Sequence, residues 1–212
     1  MAMYKDIALA VEGGGMRGAY SAGVLDVFLD NGLKFGACAG TSAGATHLCS
    51  YLSEQRERNK PEDMDRIRAS ASLPLLSHIV DIDGMKLLDG GVGDSIPFQF
   101  FANMGYQKQV VIVTQPEGFV KKPNSMIPLF KLFYRKYPKF IEAARNRHIR
   151  YNQCLRTLEE RVAQGSAFMI RPSESFKIDR LEKDKSKLVK LYDLGVKDAT
   201  ALMPKLLAFL EK

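Results

Sequence analysis

The spacing of apolar positions changes along this chain, and each change marks an element. Ile7-Ala8-Leu9-Ala10-Val11 is a continuous apolar run of strand length, the pattern of a strand buried on both faces of a parallel sheet. After Glu12 and a glycine-rich stretch the period lengthens. Tyr20, Val24, Leu25, Phe28 and Leu29 recur at helical spacing, and Asn31-Gly32 supplies a stop. Phe35 to Ala39 reads as a second apolar strand, and Ala45 to Arg58 as a helix with Leu48, Tyr51 and Leu52 on one face. The opening order is strand, loop, helix, strand, turn, helix, which starts a parallel α/β sheet.

Further on, the pattern predicts a short helix over Asp63 to Ser70. A hairpin follows, Ile79 to Ile82 and Met85 to Leu88, closed by Asp83-Gly84 and leading into Asp89. Val110 to Thr114 and Ala167 to Ile170 read as buried strands. Between them Met126 to Gln164 is a long helical stretch interrupted near Pro138. Leu181 to Lys212 is helical on a stripe that includes Leu191, Leu202 and Leu206, and Gly195 and Pro204 predict a break or kink in it. There is no internal repeat or low-complexity tract. The expectation is a single domain over 1–212, largely helical from 126 onward.

Two junctions in this pattern carry candidate chemistry. The second strand feeds Gly40-Thr41-Ser42-Ala43-Gly44, a G-x-S-x-G sequence at a strand-to-helix turn. A nucleophile held on such a turn needs a strained backbone and small neighbours, and the helix N-terminus beside it offers free N–H groups. A plain turn with an N-cap serine has the same spacing. The first strand feeds Gly13-Gly14-Gly15-Met16-Arg17-Gly18. Gly13-x-Gly15-x-x-Gly18 fits a dinucleotide fingerprint, but that reading needs an acidic residue closing the second strand, and Ala39-Gly40 stands there. No Gly-Lys-Ser/Thr follows, which excludes a P-loop. The remaining reading is an oxyanion hole, in which converging backbone N–H groups hold a developing negative charge and Arg17 fixes the loop or adds charge.

Composition narrows the setting. The chain has 212 residues, 46% hydrophobic and 26% charged, enough for one sizeable core and unlike a disordered segment. Net charge of +7 and a pI near 9.3 favour anionic partners. Cys38, Cys49 and Cys154 are scattered, with no C-x-x-C, which points away from zinc and toward a reducing compartment. No signal-peptide pattern and no apolar run of membrane-spanning length occurs. The expected location is the cytoplasm, with peripheral contact to an anionic membrane. No nucleic-acid motif, metal site or cofactor is expected.

Four motifs in order, Gly13-Gly14-Gly15-Met16-Arg17-Gly18, Gly40-Thr41-Ser42-Ala43-Gly44, Ala69-Ser70-x-x-x-Pro74 and Asp89-Gly90-Gly91, together resemble the patatin-like phospholipase family. The resemblance implies a three-layer α/β/α sandwich around a mostly parallel sheet, here with C-terminal helices. It implies a Ser–Asp dyad in which Ser42 is the nucleophile and Asp89 the general base. It also implies an oxyanion hole in the loop of Gly13, Gly14, Gly15, Arg17 and Gly18, supported by Gly40, Gly44, Gly90 and Gly91, and hydrolysis of lipid acyl esters without a cofactor. A carboxylate is a weak base at its ordinary pKa of about 3.9, so the oxyanion donors must carry much of the rate enhancement.

Two other readings compete. In an α/β-hydrolase the triad would be Ser42, Asp89 and His148, in that fold's chain order. Only two strands precede Ser42, however, and His148 lies among basic helical residues, where a surface role is expected. His47 and His78 have no motif context. Alternatively, the basic residues between Lys131 and Arg161 suit a non-catalytic module that binds anionic membranes, although a charged helix is usually a solvated face. Finally, the interval between Ser42 and Asp89 is short for the family, with no strand around Glu54 to Asp63. The expectation is that a stretch found in related proteins is absent at that junction.

Overall fold

The computed structural model describes residues 2–53, 61–179 and 181–212. Its elements are β1 (Ala2–Val11), α1 (Gly18–Asp30), β2 (Leu33–Gly40), α2 (Ala43–Ser53), α3 (Pro61–Ser70), β3 (Val80–Ile82), β4 (Met85–Leu87), α4 (Gln99–Asn103), β5 (Lys108–Ile112), α5 (Ile127–Phe133), α6 (Pro138–Ala163), β6 (Ala167–Ile170) and α7 (Lys185–Leu210). The main sheet has the order β2-β1-β5-β6, and all its pairings are parallel. β3 and β4 form a separate antiparallel hairpin, turned by Asp83 and Gly84 at φ 53 and 77.

Alternation along the strands divides the core into two layers. Ile7, Leu9 and Val11 of β1, with Val110 and Ile112 of β5, pack on Val24 and Phe28 of α1 and Leu191 and Leu206 of α7. Ala8, Ala10, Val111 and Val113 face the other way, onto Tyr151, Leu155 and Leu158 of α6 and Phe98 and Phe101 near α4. The result is the α/β/α sandwich that the resemblance implies, built on the parallel sheet the strand pattern predicts, because a parallel sheet whose connections are helices must bury both faces. A third, smaller cluster joins Phe130 and Tyr134 to Ala144, with Leu75, Ile79 and Leu88 packed on it. It fastens the hairpin and α5 to the start of α6.

Of the break or kink expected in the last helix, the structure removes the break. α7 runs continuously through Gly195 and Pro204. A side-chain carbon on Gly195 would lie 2.2 Å from the Tyr20 carbonyl, and one on Gly23 would lie 2.3 Å from the Tyr192 carbonyl. The two glycines let α1 and α7 touch backbone to backbone. At Pro204 the missing N–H removes one helical bond, but Met203, Leu206 and Leu210 are buried on the core and hold the helix across it. Strand β1 begins five residues before the apolar run because Ala2 to Tyr4 pair with Leu33 to Phe35, and the Tyr4 ring sits 6.4 Å from that of Phe35. Helix α4 has no sequence signal, as five residues are too few to show a period. The junction at residues 54–60, where the absent stretch is expected, lies outside the described residues. Among the described residues, no helix is long and apolar enough to cross a membrane.

Candidate active site

β1 and β2 are adjacent and parallel, with Val11 opposite Gly40. The glycine loop and the serine turn therefore leave the sheet side by side, at the carboxyl edge where open α/β sheets place their ligand sites. Thr41 N–H donates to the Val11 carbonyl at 3.2 Å. The chain then reverses through Ser42, whose φ of 53° is positive for a residue with a side chain. That conformation costs about 1–3 kcal/mol and persists only when its surroundings enforce it. Here they do. A side-chain carbon on Gly40 would sit 2.6 Å from Ala45 N, and one on Gly44 would sit 2.5 Å from the Val11 carbonyl. Ser42 N–H is held by Ser70 Oγ at 2.9 Å, which ties the end of α3 to the turn.

The hairpin brings Asp89 to the same place. Asp89 N–H donates to the Ser72 carbonyl at 2.7 Å. Its Oδ1 accepts from Gly91 N–H at 2.8 Å and its Oδ2 accepts from the Ser42 hydroxyl at 2.7 Å. Both side chains are buried, each residue being 7% exposed. Gly91 has no room for a side chain, which would stand 2.9 Å from Asp89 Oδ1. Gly90 is less restricted, its nearest neighbours at 3.4 Å.

The five glycine-loop positions separate by where their N–H groups go. Gly13 N–H donates to the Ser95 carbonyl at 3.0 Å. Gly18 N–H turns back to the Gly15 carbonyl, and Gly18 packs tightly on Ala43 and His47. Those two glycines serve close packing. The N–H groups of Gly14 and Gly15 have no hydrogen-bond acceptor among the described residues, and Gly15 has the positive φ of 58° that the turn requires. Gly13, Gly14, Gly15, Arg17, Ser42, Asp89 and Arg147 line one cleft of about 300 Å³. The rest of its wall is mostly apolar: Leu73, Pro74, Leu75, Leu76, Val92, Met126, Phe130 and Ala144. Leu75 is itself held at φ 68°, with its N–H bonded to the Tyr134 hydroxyl at 2.8 Å.

Several participants have no motif of their own. Glu12, 1% exposed, accepts from Thr114 N–H at 2.5 Å and from the Tyr151 hydroxyl at 2.9 Å. Burial, reinforced by the Glu12 carboxylate, raises the Tyr151 pKa well above the phenol range, so Tyr151 stays a donor. Arg147 of α6 donates through Nε to the Gly91 carbonyl and through a terminal nitrogen to Ser95 Oγ at 3.1 Å. Ser95 Oγ in turn donates to the Gly91 carbonyl at 2.9 Å. Arg147 and Tyr151 are four residues apart and so share a helix face. That spacing was the available signal, hidden within a run of basic residues that reads as solvated.

The histidines are elsewhere. His148 Nδ1 lies 3.1 Å from the Arg145 carbonyl of its own helix, and His148 is not among the cleft-lining residues. The structure does not assemble the Ser42, Asp89, His148 triad. His78 is exposed and His47 is half-buried, with burial lowering the His47 pKa. Burial also pushes the Cys38 and Cys154 thiols up to about 12, so neither competes with Ser42 as a nucleophile. Among the described residues no three of His, Cys, Asp or Glu converge as a metal site.

Comparison with known proteins divides the chain in two. A family model described as patatin-like phospholipase matches residues 9–67, the segment from β1 through the serine turn into α3. A second, described as a domain of unknown function (DUF6363), matches residues 137–211. The uncharacterized protein YjjU of Escherichia coli (strain K12) is 26% identical over 230 positions, which take in 64% of this chain and 64% of that protein. The chain thus spans just under two thirds of that relative's length. An aligned span longer than this chain's 212 residues, covering only part of it, means that the relative carries a long additional stretch inside the match. The first match is partial, and what it supports is the hydrolase class associated with that family.

Proposed function

We propose that the protein is a serine acyl hydrolase acting on lipid esters through a Ser42–Asp89 dyad. The observation that carries this reading is the 2.7 Å hydrogen bond from the Ser42 hydroxyl to Asp89 Oδ2, at the floor of a mostly apolar cleft. Asp89 takes the hydroxyl proton as Ser42 Oγ attacks the ester carbonyl carbon. The carbonyl oxygen becomes negative and is received by the N–H groups of Gly14 and Gly15, each worth roughly 3–4 kcal/mol if correctly placed. Collapse of the intermediate expels the alcohol, which recovers the proton from Asp89 and leaves an acyl group on Ser42. Water, deprotonated by Asp89, then adds to the acyl carbon; collapse releases the fatty acid and returns the proton to Ser42.

The apolar wall suits an acyl chain, and the positive net charge suits an anionic interface. The reading places the protein in the cytoplasm with peripheral access to lipid. A fluorophosphonate probe tests for the activated serine without knowledge of the natural substrate. Labelling of the wild type and none of Ser42→Ala is the expected result. Labelling that survives the substitution would move the nucleophile away from Ser42, whereas a folded wild type that is not labelled and hydrolyses no short p-nitrophenyl ester yet binds lipid would leave a membrane-binding module in place of an enzyme.

A further inference from the structure

Helix α5 breaks the usual pattern of a surface helix. Its sequence, Ile127-Pro128-Leu129-Phe130-Lys131-Leu132-Phe133, has no polar face beyond Lys131. Phe130 points inward, its ring 5.9 Å from that of Tyr134 and 5.5 Å from that of Phe140. Leu132 and Phe133 point outward, each 66% exposed, and Leu129 is 41% exposed. A helix this apolar normally buries both sides, and clustered exposed apolar side chains mark an interaction surface. The same segment holds Lys122, Lys131, Arg135, Lys136 and Lys139, all exposed, with no Asp or Glu anywhere from 121 to 139. None of these five cations pairs with a carboxylate among the described residues. The segment also borders the cleft, since Met126 and Phe130 line it, as does the exposed Leu76.

We propose that this face, α5 with its cationic flanks, is the surface by which the protein docks on an anionic lipid bilayer, with Leu129, Leu132 and Phe133 entering the acyl region. Charge chooses the occupant. A second copy would set these cations against an identical set. An anionic bilayer supplies negative head groups at the depth of the lysines and hydrocarbon just below, which matches both halves of the face. Docking in this orientation would bring lipid to the cleft mouth beside Met126. Only that last consequence rests on the hydrolase reading.

The test is co-sedimentation with vesicles of phosphatidylcholine alone or mixed with phosphatidylglycerol. Binding should require phosphatidylglycerol and weaken with salt, as exposed charges are screened over about 8–10 Å. Lys131→Glu with Lys136→Glu should weaken it by at least fivefold for each charge neutralised. Leu132→Ser with Phe133→Ser should weaken it by about tenfold or more. Both double variants should keep the wild-type thermal midpoint and the wild-type rate on a short water-soluble ester, because none of the four side chains lines the cleft. Binding that persists in both variants, or that is equal on pure phosphatidylcholine at high salt, overturns the proposal. So does a dimer abolished by the Leu132/Phe133 variant, which would assign the face to a second copy. A wild type that cleaves no ester but shows this pattern of vesicle binding upholds the docking surface and removes the hydrolase reading alone.

Discussion

The glycine loop and serine turn of the first strands, and helix α6 of the C-terminal half, meet at one cleft but reach it by different physics. In the first region the backbone does the work. Ser42 is held at positive φ, Gly40 and Gly44 allow contacts that no side chain would permit, and Gly14 and Gly15 keep their N–H groups available. In α6 the side chains do the work. Arg147 grips the Gly91 carbonyl and Ser95, and Tyr151 holds Glu12 at the root of the glycine loop. Backbone requirements leave fixed glycines at fixed spacing. Side-chain support leaves single residues on one helix face, which any basic helix resembles. The patatin-like match covers the first region, and the match without a described function covers the second.

The comparison is broken most severely at the nucleophile. Ser42→Ala should lower kcat/KM on a p-nitrophenyl ester by about 10⁴-fold or more, with the melting temperature unchanged or slightly raised, since the strained serine is relieved little by alanine. Retention of activity within about tenfold would remove Ser42 from the mechanism. Asp89→Asn keeps the shape but loses the base. It should cost on the order of 10³–10⁴-fold in kcat, and an intact rate would show that some other group takes the proton.

Arg147 sharpens the comparison because it grips the backbone and hydroxyl beside the dyad, at the Gly91 carbonyl and Ser95. It fixes Gly91 through its carbonyl, the residue whose N–H orients Asp89 Oδ1, and Ser95, whose carbonyl receives Gly13 N–H. Displacing these residues should misplace the base and the loop together, so Arg147→Ala should reduce kcat by about 10–100-fold with KM little changed. Lysine at this position restores a charge but not the forked pair of donors, so Arg147→Lys should recover only part of the loss. A change confined to KM would make Arg147 a substrate contact instead of a positioning residue.

What the sequence made legible follows the same division. The continuous apolar runs at Ile7–Val11 and Ala167–Ile170 gave buried strands, since both sheet faces are covered. The hairpin was visible through Asp83-Gly84, because that turn demands positive φ at both positions. Ser42, Asp89 and the loop glycines stood out because their geometry restricts residue type. Gly195 misled, as a glycine in a helix can mark a stop or a close contact, and only the facing Gly23 on α1 shows which. Within the loop, sequence could not separate Gly14 and Gly15 from Gly13 and Gly18, since the difference lies in a bond from Gly13 to Ser95 far along the chain. Glu12, Arg147 and Tyr151 were unreadable as a set for the same reason, being joined only by the packing of α6 across the sheet.

The smallest effect is expected at the next residue along α6, and it tests the comparison hardest. His148 follows Arg147 directly, yet one step along a helix turns a side chain by about 100°. Arg147 lines the cleft, whereas the His148 ring lies against the Arg145 carbonyl of its own helix. If α6 acts through one face that supports the backbone of the site, His148→Gln should change kcat and KM by less than about twofold and leave the pH profile as it was. If His148 served as a general base for Ser42, the same change would cost about 10⁴-fold, as loss of a triad histidine does, and would change the shape of the pH–rate profile. Measured side by side with Arg147→Ala, the pair separates positioning from proton transfer on adjacent residues of one helix. A silent Arg147 with a sensitive His148 would replace the dyad by a triad formed on movement of α6, and would make that helix part of the chemistry.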